Sequence, residues 1–181
     1  MAAMSETFNG VAIALGDIVA VRGVGLFSAG ILRATGNTVS HVGLLIGIDP
    51  PLVIEALTRV RTNPLATTIA SAERAYILHD KSLSTWERRK IVDTAVGFSA
   101  DGYNWGDILL QGMDALARTT WFTDHLSIGL ADEPICSYVV AAAYRAVNLS
   151  FGRVKTESVR PSDIYLFAQM HPELYSIGQV K

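Results

Sequence analysis

The segment "HVGLLIGIDPPLVIEAL", residues 41–57, constrains the fold more than any other stretch of this 181-residue chain. Two apolar runs, "VGLLIGI" and "LVIEAL", are separated by Asp49, Pro50 and Pro51. A residue that precedes proline is pushed out of the helical region, so "DPP" turns the chain. Each run reads as a buried strand, and two consecutive strands joined by a short turn most simply form an antiparallel hairpin. Two polar groups fall near its open end. His41 stands at the mouth of the first strand, and Glu55 interrupts the second. A carboxylate within a buried strand is costly unless it is paired. The hairpin offers His41 as that partner; a solvent-facing position, or a pairing with Arg59 or Arg61, would serve the same need.

Around the hairpin the pattern alternates less clearly. "GDIVAVRG" (16–23) reads as a strand, and "LFSAGILRATG" (26–36) has helical spacing with Gly36 as a C-cap. The second hairpin strand is expected to curl into a third. "ATTIASAERAY" (66–76) looks like a short helix and "YILHD" (76–80) like a strand. From Ser84 the helical period takes over. Ser84 and Glu87 form a capping box ahead of Ile91, Val92, Ala95 and Phe98. "NWGDILLQGMDALART" (104–119) reads as a further helix. "CSYVVAAAYRAVNLS" (136–150) shows one apolar stripe of Val139, Val140, Ala143, Tyr144 and Val147. Its helix should begin just beyond Pro134, placing Cys136 in or near the first turn. Ser162 is the expected N-cap of a last helix, followed by a short terminal segment. Strands first and helices mostly later argue for an α+β fold in a single domain over residues 1–181, a small antiparallel sheet packed against helices.

Composition removes several function classes. Half of the residues are apolar and 18% are charged, which suits a large core. The mean hydropathy of +0.30 raises the question of a membrane span. The uncharged run "GVGLFSAGIL" between Arg22 and Arg33 is about half of the ~20 residues a spanning helix needs, and the later apolar run is broken by Asp49, Pro50 and Pro51, so no stable membrane insertion is expected. A net charge of −2 gives no electrostatic reason to bind nucleic acid. No basic residue precedes Arg22, so the n-region of a secretory signal is missing. A cytoplasmic location is the default expectation, with export by a non-classical route as the alternative. The one cysteine excludes an internal disulfide and a multi-thiolate metal site. Metal-ligand spacings such as HExxH and CxxC are absent, and the glycines of "RGVGLFSAG" match no phosphate-binding loop. No metal or cofactor is expected.

The remaining chemistry centres on Cys136. A thiol at a helix start meets unpaired backbone N–H groups and the positive end of the helix dipole, which favour the thiolate. The plain alternative is a small buried hydrophobe. A thiolate nucleophile needs a proton shuttle, usually histidine. His79 beside Asp80, His125 in a loop and His171 before Pro172 suit surface roles, whereas His41 heads a central strand. Glu55 would then fix the imidazole tautomer, as the third member of a triad does. Tyr103 in "GYNWGD" either packs or lends its hydroxyl to a carbonyl. "WERRK" reads as a solvated basic helix face.

Taken in order, "GDIVAV", "SHVGLLIG", "VIEA", "YNWGDI", "ICSYVVAAAYRA" and "RPSDIY" resemble the circularly permuted NlpC-type hydrolases of the YiiX-like group, within the papain-like superfamily. The match runs from about Gly16 to Tyr165. The histidine strand precedes the cysteine helix, as in the permuted group. The resemblance implies Cys136 as nucleophile, His41 as base, Glu55 as the orienting carboxylate and Tyr103 as a substrate-lining residue. The segment 115–134 matches nothing in the pattern.

The implied activity is cleavage of an amide bond by a Cys-His-Glu triad through an acyl-enzyme, with a cell-wall peptide as the first substrate class and an acyl small molecule as another. A lipid-directed thiol acyltransferase or phospholipase of the same superfamily is the alternative within it. The asparagine-cysteine-glutamate start of that branch's cysteine helix is absent here. A binding module that kept the fold without catalysis is the alternative from another class. If the protein is exported as an effector, an inhibitory partner protein would be expected.

Overall fold

The computed structural model describes residues 6–24, 38–56, 60–100, 132–152, 156 and 159–181. Strand β1 (Glu6–Phe8) and β2 (Val11–Ile13) form a small hairpin turned by Asn9 and Gly10, both at positive φ. The main sheet contains β3 (Ile18–Gly23), β4 (His41–Ile48), β5 (Pro51–Ala56), β6 (Val60–Pro64), β7 (Ala72–Asp80) and β8 (Tyr175–Gln179). Its order is β6-β5-β4-β3-β7-β8, and every neighbouring pair is antiparallel. The helices are α1 (Leu65–Ala70), α2 (Thr85–Ala100), α3 (Asp132–Arg145) and α4 (Pro161–Met170). The result is a mixed α+β protein with an antiparallel sheet packed against helices.

The apolar runs of β3, β4, β5 and β7 are nearly continuous because the sheet is covered on both faces. Ile18, Ala20, Val42, Leu44, Ile54 and Leu78 share one core with Ile91 of α2, Val140 and Tyr144 of α3 and Ile164 of α4. The alternate residues Val19, Val21, Leu45, Val53 and Ile77 share a second core with Ile13, Leu65, Ile69 and Val180.

Several sequence expectations are corrected. The expected helix over 66–76 ends at Ala70, because Ala72 onward joins β7 and pairs with β3. Ser162 is not the N-cap of α4. Arg160 is, with Pro161 following it, and Asp163 Oδ2 accepts a hydrogen bond from the Arg160 amide at 3.1 Å. Ser162 lies buried in the first turn. The terminal segment after α4 is strand β8, which borders β7. The Ser84–Glu87 capping box is present at the start of α2, with Ser84 N–H to Glu87 Oε2 at 2.8 Å. The helices expected over 26–36 and 104–119 lie outside the described residues. Among the described residues no helix is long and apolar enough to cross a membrane.

Candidate active site

His41 and Glu55 meet as a consequence of register. Gly43 of β4 is the direct partner of Glu55 on β5, so His41, two residues before Gly43, lies diagonal to Glu55 on the same side of the sheet. Gly43 has no side chain to block that diagonal. The imidazole Nε2 stands 3.0 Å from Glu55 Oε2. The next strand completes the arrangement. Arg61 pairs directly with Glu55, and Asn63 pairs with Val53, one diagonal away. Arg61 Nη2 donates to Glu55 Oε1 at 3.2 Å, and Asn63 Nδ2 donates to the same oxygen at 2.5 Å. The buried carboxylate is therefore met on both oxygens, which is how its burial becomes tolerable.

Cys136 approaches from α3, which packs over β4 and β5. The thiol is 1% exposed and belongs to the core of Val42, Leu44 and Ile54. It makes a side-chain hydrogen bond with His41. Because His41 is the first residue of β4, its ring stands at the end of the sheet, where the thiol can reach it. With Nε2 committed to Glu55, Nδ1 is the nitrogen left for the sulfur.

The electrostatics follow from these contacts. Burial by itself would lower the imidazole pKa. The charge and hydrogen bond of Cys136, then the hydrogen bond and charge of Glu55, overturn that and push His41 up to about 10. Burial works to raise the Glu55 carboxyl, yet the hydrogen bond and charge of His41, the Asn63 amide and the Arg61 charge together hold it below the ordinary glutamate value. The arrangement favours a cationic imidazole between a carboxylate and a sulfur.

Other expected positions fare differently. Helix α3 begins at Asp132, upstream of Pro134 and not just beyond it, and Cys136 is its fifth residue, next to the first turn as expected. Proline is tolerated there because first-turn N–H groups have no partner within the helix. The Cys136 amide, by contrast, falls where the ladder to the fourth preceding carbonyl begins. Ser137, which follows the thiol, donates to the Val159 carbonyl at 2.6 Å and ties α3 to the chain entering α4. Tyr103, His125 and residues 115–131 lie outside the described residues.

His79 does not face solvent alone. Its Nδ1 is 3.0 Å from both oxygens of the fully buried Asp17. "WERRK" is not wholly a solvated face either, since Arg88 is buried and donates to Asp17 Oδ1 at 2.8 Å, to the Leu15 carbonyl at 2.9 Å and to the Asp80 carbonyl. His171 pairs with Glu173 at the surface, as a bland role requires. Asn63 is the participant that sequence reasoning passed over. The signal was present: in a three-strand meander, alternate residues of "VRTNP" fall on the side of Glu55.

A scan of protein-family models finds no match to this chain, and no curated protein matches it. Among solved structures it is similar to the metalloprotein yiiX from Escherichia coli O157:H7 (DUF1105), with a TM-score of 0.56 and 24% sequence identity over 77% of this chain and 69% of that one. At this identity the likeness is one of fold, and the fold is YiiX-like.

Proposed function

We propose that the protein is a cysteine hydrolase that cleaves an amide bond through a thioester intermediate, built on a circularly permuted NlpC-type, papain-like frame. The observation that carries this reading is the placement of one imidazole between the only thiol of the chain and a buried, oriented carboxylate. The order of the chain agrees with permutation, because the histidine and glutamate strands come before the cysteine helix.

In the proposed reaction Cys136 Sγ, as thiolate, attacks the carbonyl carbon of the scissile amide. The carbon–nitrogen bond breaks as His41 delivers its Nδ1 proton to the leaving amine. Neutral His41 then takes a proton from water, and the hydroxide attacks the thioester. Sulfur leaves as thiolate, and the imidazolium is restored. Glu55 holds the ring in the tautomer and orientation that both steps require. A peptide amide, with cell-wall peptides first, is the substrate class by resemblance to NlpC-type enzymes.

The yiiX protein is called a metalloprotein. The donors here do not fit a resident metal ion: among the described residues no three His, Cys, Asp or Glu side chains gather to hold one. Both oxygens of Glu55 and Nε2 of His41 are already engaged. The steps above therefore rest on the chain's own side chains.

The test is alkylation of the native thiol by iodoacetamide, a reagent small enough for a site 1% exposed. At pH about 6 the wild-type rate should exceed that of His41→Ala by about 10-fold or more. Cleavage of a muropeptide, lost in Cys136→Ser, would then identify the substrate class. A thiol that stays inert at every pH until the protein unfolds would end the hydrolase reading.

A further inference from the structure

Glu55 Oε1 is turned away from the base, and two donors from one neighbouring strand converge on it. Asn63 Nδ2 lies 2.5 Å away and Arg61 Nη2 3.2 Å away, leaving Oε2 directed at His41 Nε2. This convergence follows from the β5–β6 register, in which residues 61 and 63 fall beside Glu55. Strand β6 lies at the edge of the sheet, and its residues are mostly solvent-facing, so core packing does not dictate an amide or a guanidinium at these positions.

We propose that Asn63 and Arg61 are positioning residues for the reaction proposed above: they clamp Glu55 Oε1 so that Oε2 stays aimed at His41. The two act by different physics. Asn63 supplies a neutral hydrogen bond that fixes the carboxylate plane and leaves its charge intact. Arg61 adds a positive charge, but its side chain is 48% exposed, so solvent and salt screen it. The titratable groups acting on Glu55 are His41 from β4, Arg61 from β6 and, through His41, Cys136 from α3. Helix α1, also packed against β5, carries none.

The inference rests on the triad reading, and one spectroscopic experiment separates the two. A ring N–H held by an ionised carboxylate gives a far-downfield proton resonance. In the wild-type protein that signal should be present, vanish in His41→Ala, and fade as pH falls through the Glu55 titration. In Asn63→Ala the fading midpoint should rise by about one pH unit, a tenfold change in carboxyl protonation. In Arg61→Gln it should rise less, revert in Arg61→Lys, and lose its distinction from wild type at about 1 M salt. Circular dichroism checks that each variant is folded. A His41-dependent signal whose midpoint is unmoved in Asn63→Ala and Arg61→Gln overturns the clamp and leaves the triad standing. Absence of that signal in wild type overturns both. A midpoint that rises as expected, with the Arg61 part alone abolished by salt, supports the clamp.

Discussion

Gly43→Ala tests the architecture at the point where fold and site coincide. A Cβ at position 43 would stand 2.7 Å from Val53 Cγ1, 2.9 Å from the Ile54 carbonyl oxygen and 3.4 Å from Glu55 Cβ. Carbon atoms pack best at about 3.5–4.0 Å, so the methyl needs about 1 Å of new space. Val53 is stiff and fully buried, and the Ile54 oxygen belongs to the backbone, so β5 itself must move. Overpacking of this kind costs about 1–3 kcal/mol. Replacing glycine returns about 0.4–1 kcal/mol by restricting the unfolded chain. Central values of about 2 and about 0.7 kcal/mol leave a net loss of about 1.3 kcal/mol, or about 3–5 °C in Tm for a protein of this size. The effect on chemistry should be larger than the effect on stability. Moving β5 by several tenths of an ångström takes Glu55 Oε2 off a 3.0 Å contact with His41. Thermal unfolding followed by circular dichroism reads the first effect, and iodoacetamide alkylation of Cys136 the second. An unchanged Tm with an unchanged alkylation rate would refute the close approach of β4 and β5.

Three further outcomes can be measured directly. Arg88→Ala leaves the buried Asp17 without its guanidinium and frees two carbonyls, so urea unfolding should show a loss of about 3–5 kcal/mol; a loss below about 1 kcal/mol would contradict the buried pair. Ser137→Ala removes the donor to the Val159 carbonyl and should cost about 1–3 kcal/mol in the same assay, whereas an unchanged urea midpoint would mean the bond contributes nothing. His41, pushed up to about 10 in the folded protein from about 6.5 unfolded, contributes stability that is fully present below pH about 6.5 and is lost as pH rises through about 10. The stability gap between wild type and His41→Ala should therefore narrow over that window, and parallel curves would show that the proton is not held by folding.

The sequence made the β4–β5 hairpin legible because its signals agree: two apolar runs, a proline turn, and a carboxylate that needed a partner. The meeting of His41 and Glu55 followed from that geometry. Cys136 could be nominated only from its local context and the family pattern, because nothing within β4 and β5 indicates which helix will cover them. Other elements hid for physical reasons. Ala72, Glu73, Arg74 and Ala75 favour helix locally, but pairing with β3 overrides that preference. The "NG" at residues 9–10 is a hairpin signal, yet the strands it joins have only three residues each, too few for alternation to show. His79 and Arg88 looked like surface groups because their partner, Asp17, lies more than sixty positions away in the chain.

The spacing of the site along the chain has a consequence for folding. His41, Glu55, Arg61 and Asn63 lie within twenty-three consecutive residues on three adjacent strands, whereas Cys136 follows ninety-five positions after His41. The charged half of the site can assemble by zipping up short hairpins, with little loop entropy to overcome. Cys136 joins by closing a much longer loop, when α3 docks onto the sheet. A chain caught before that docking holds an oriented imidazole but an ordinary thiol, so reactivity at sulfur reports completion of the last long-range contact.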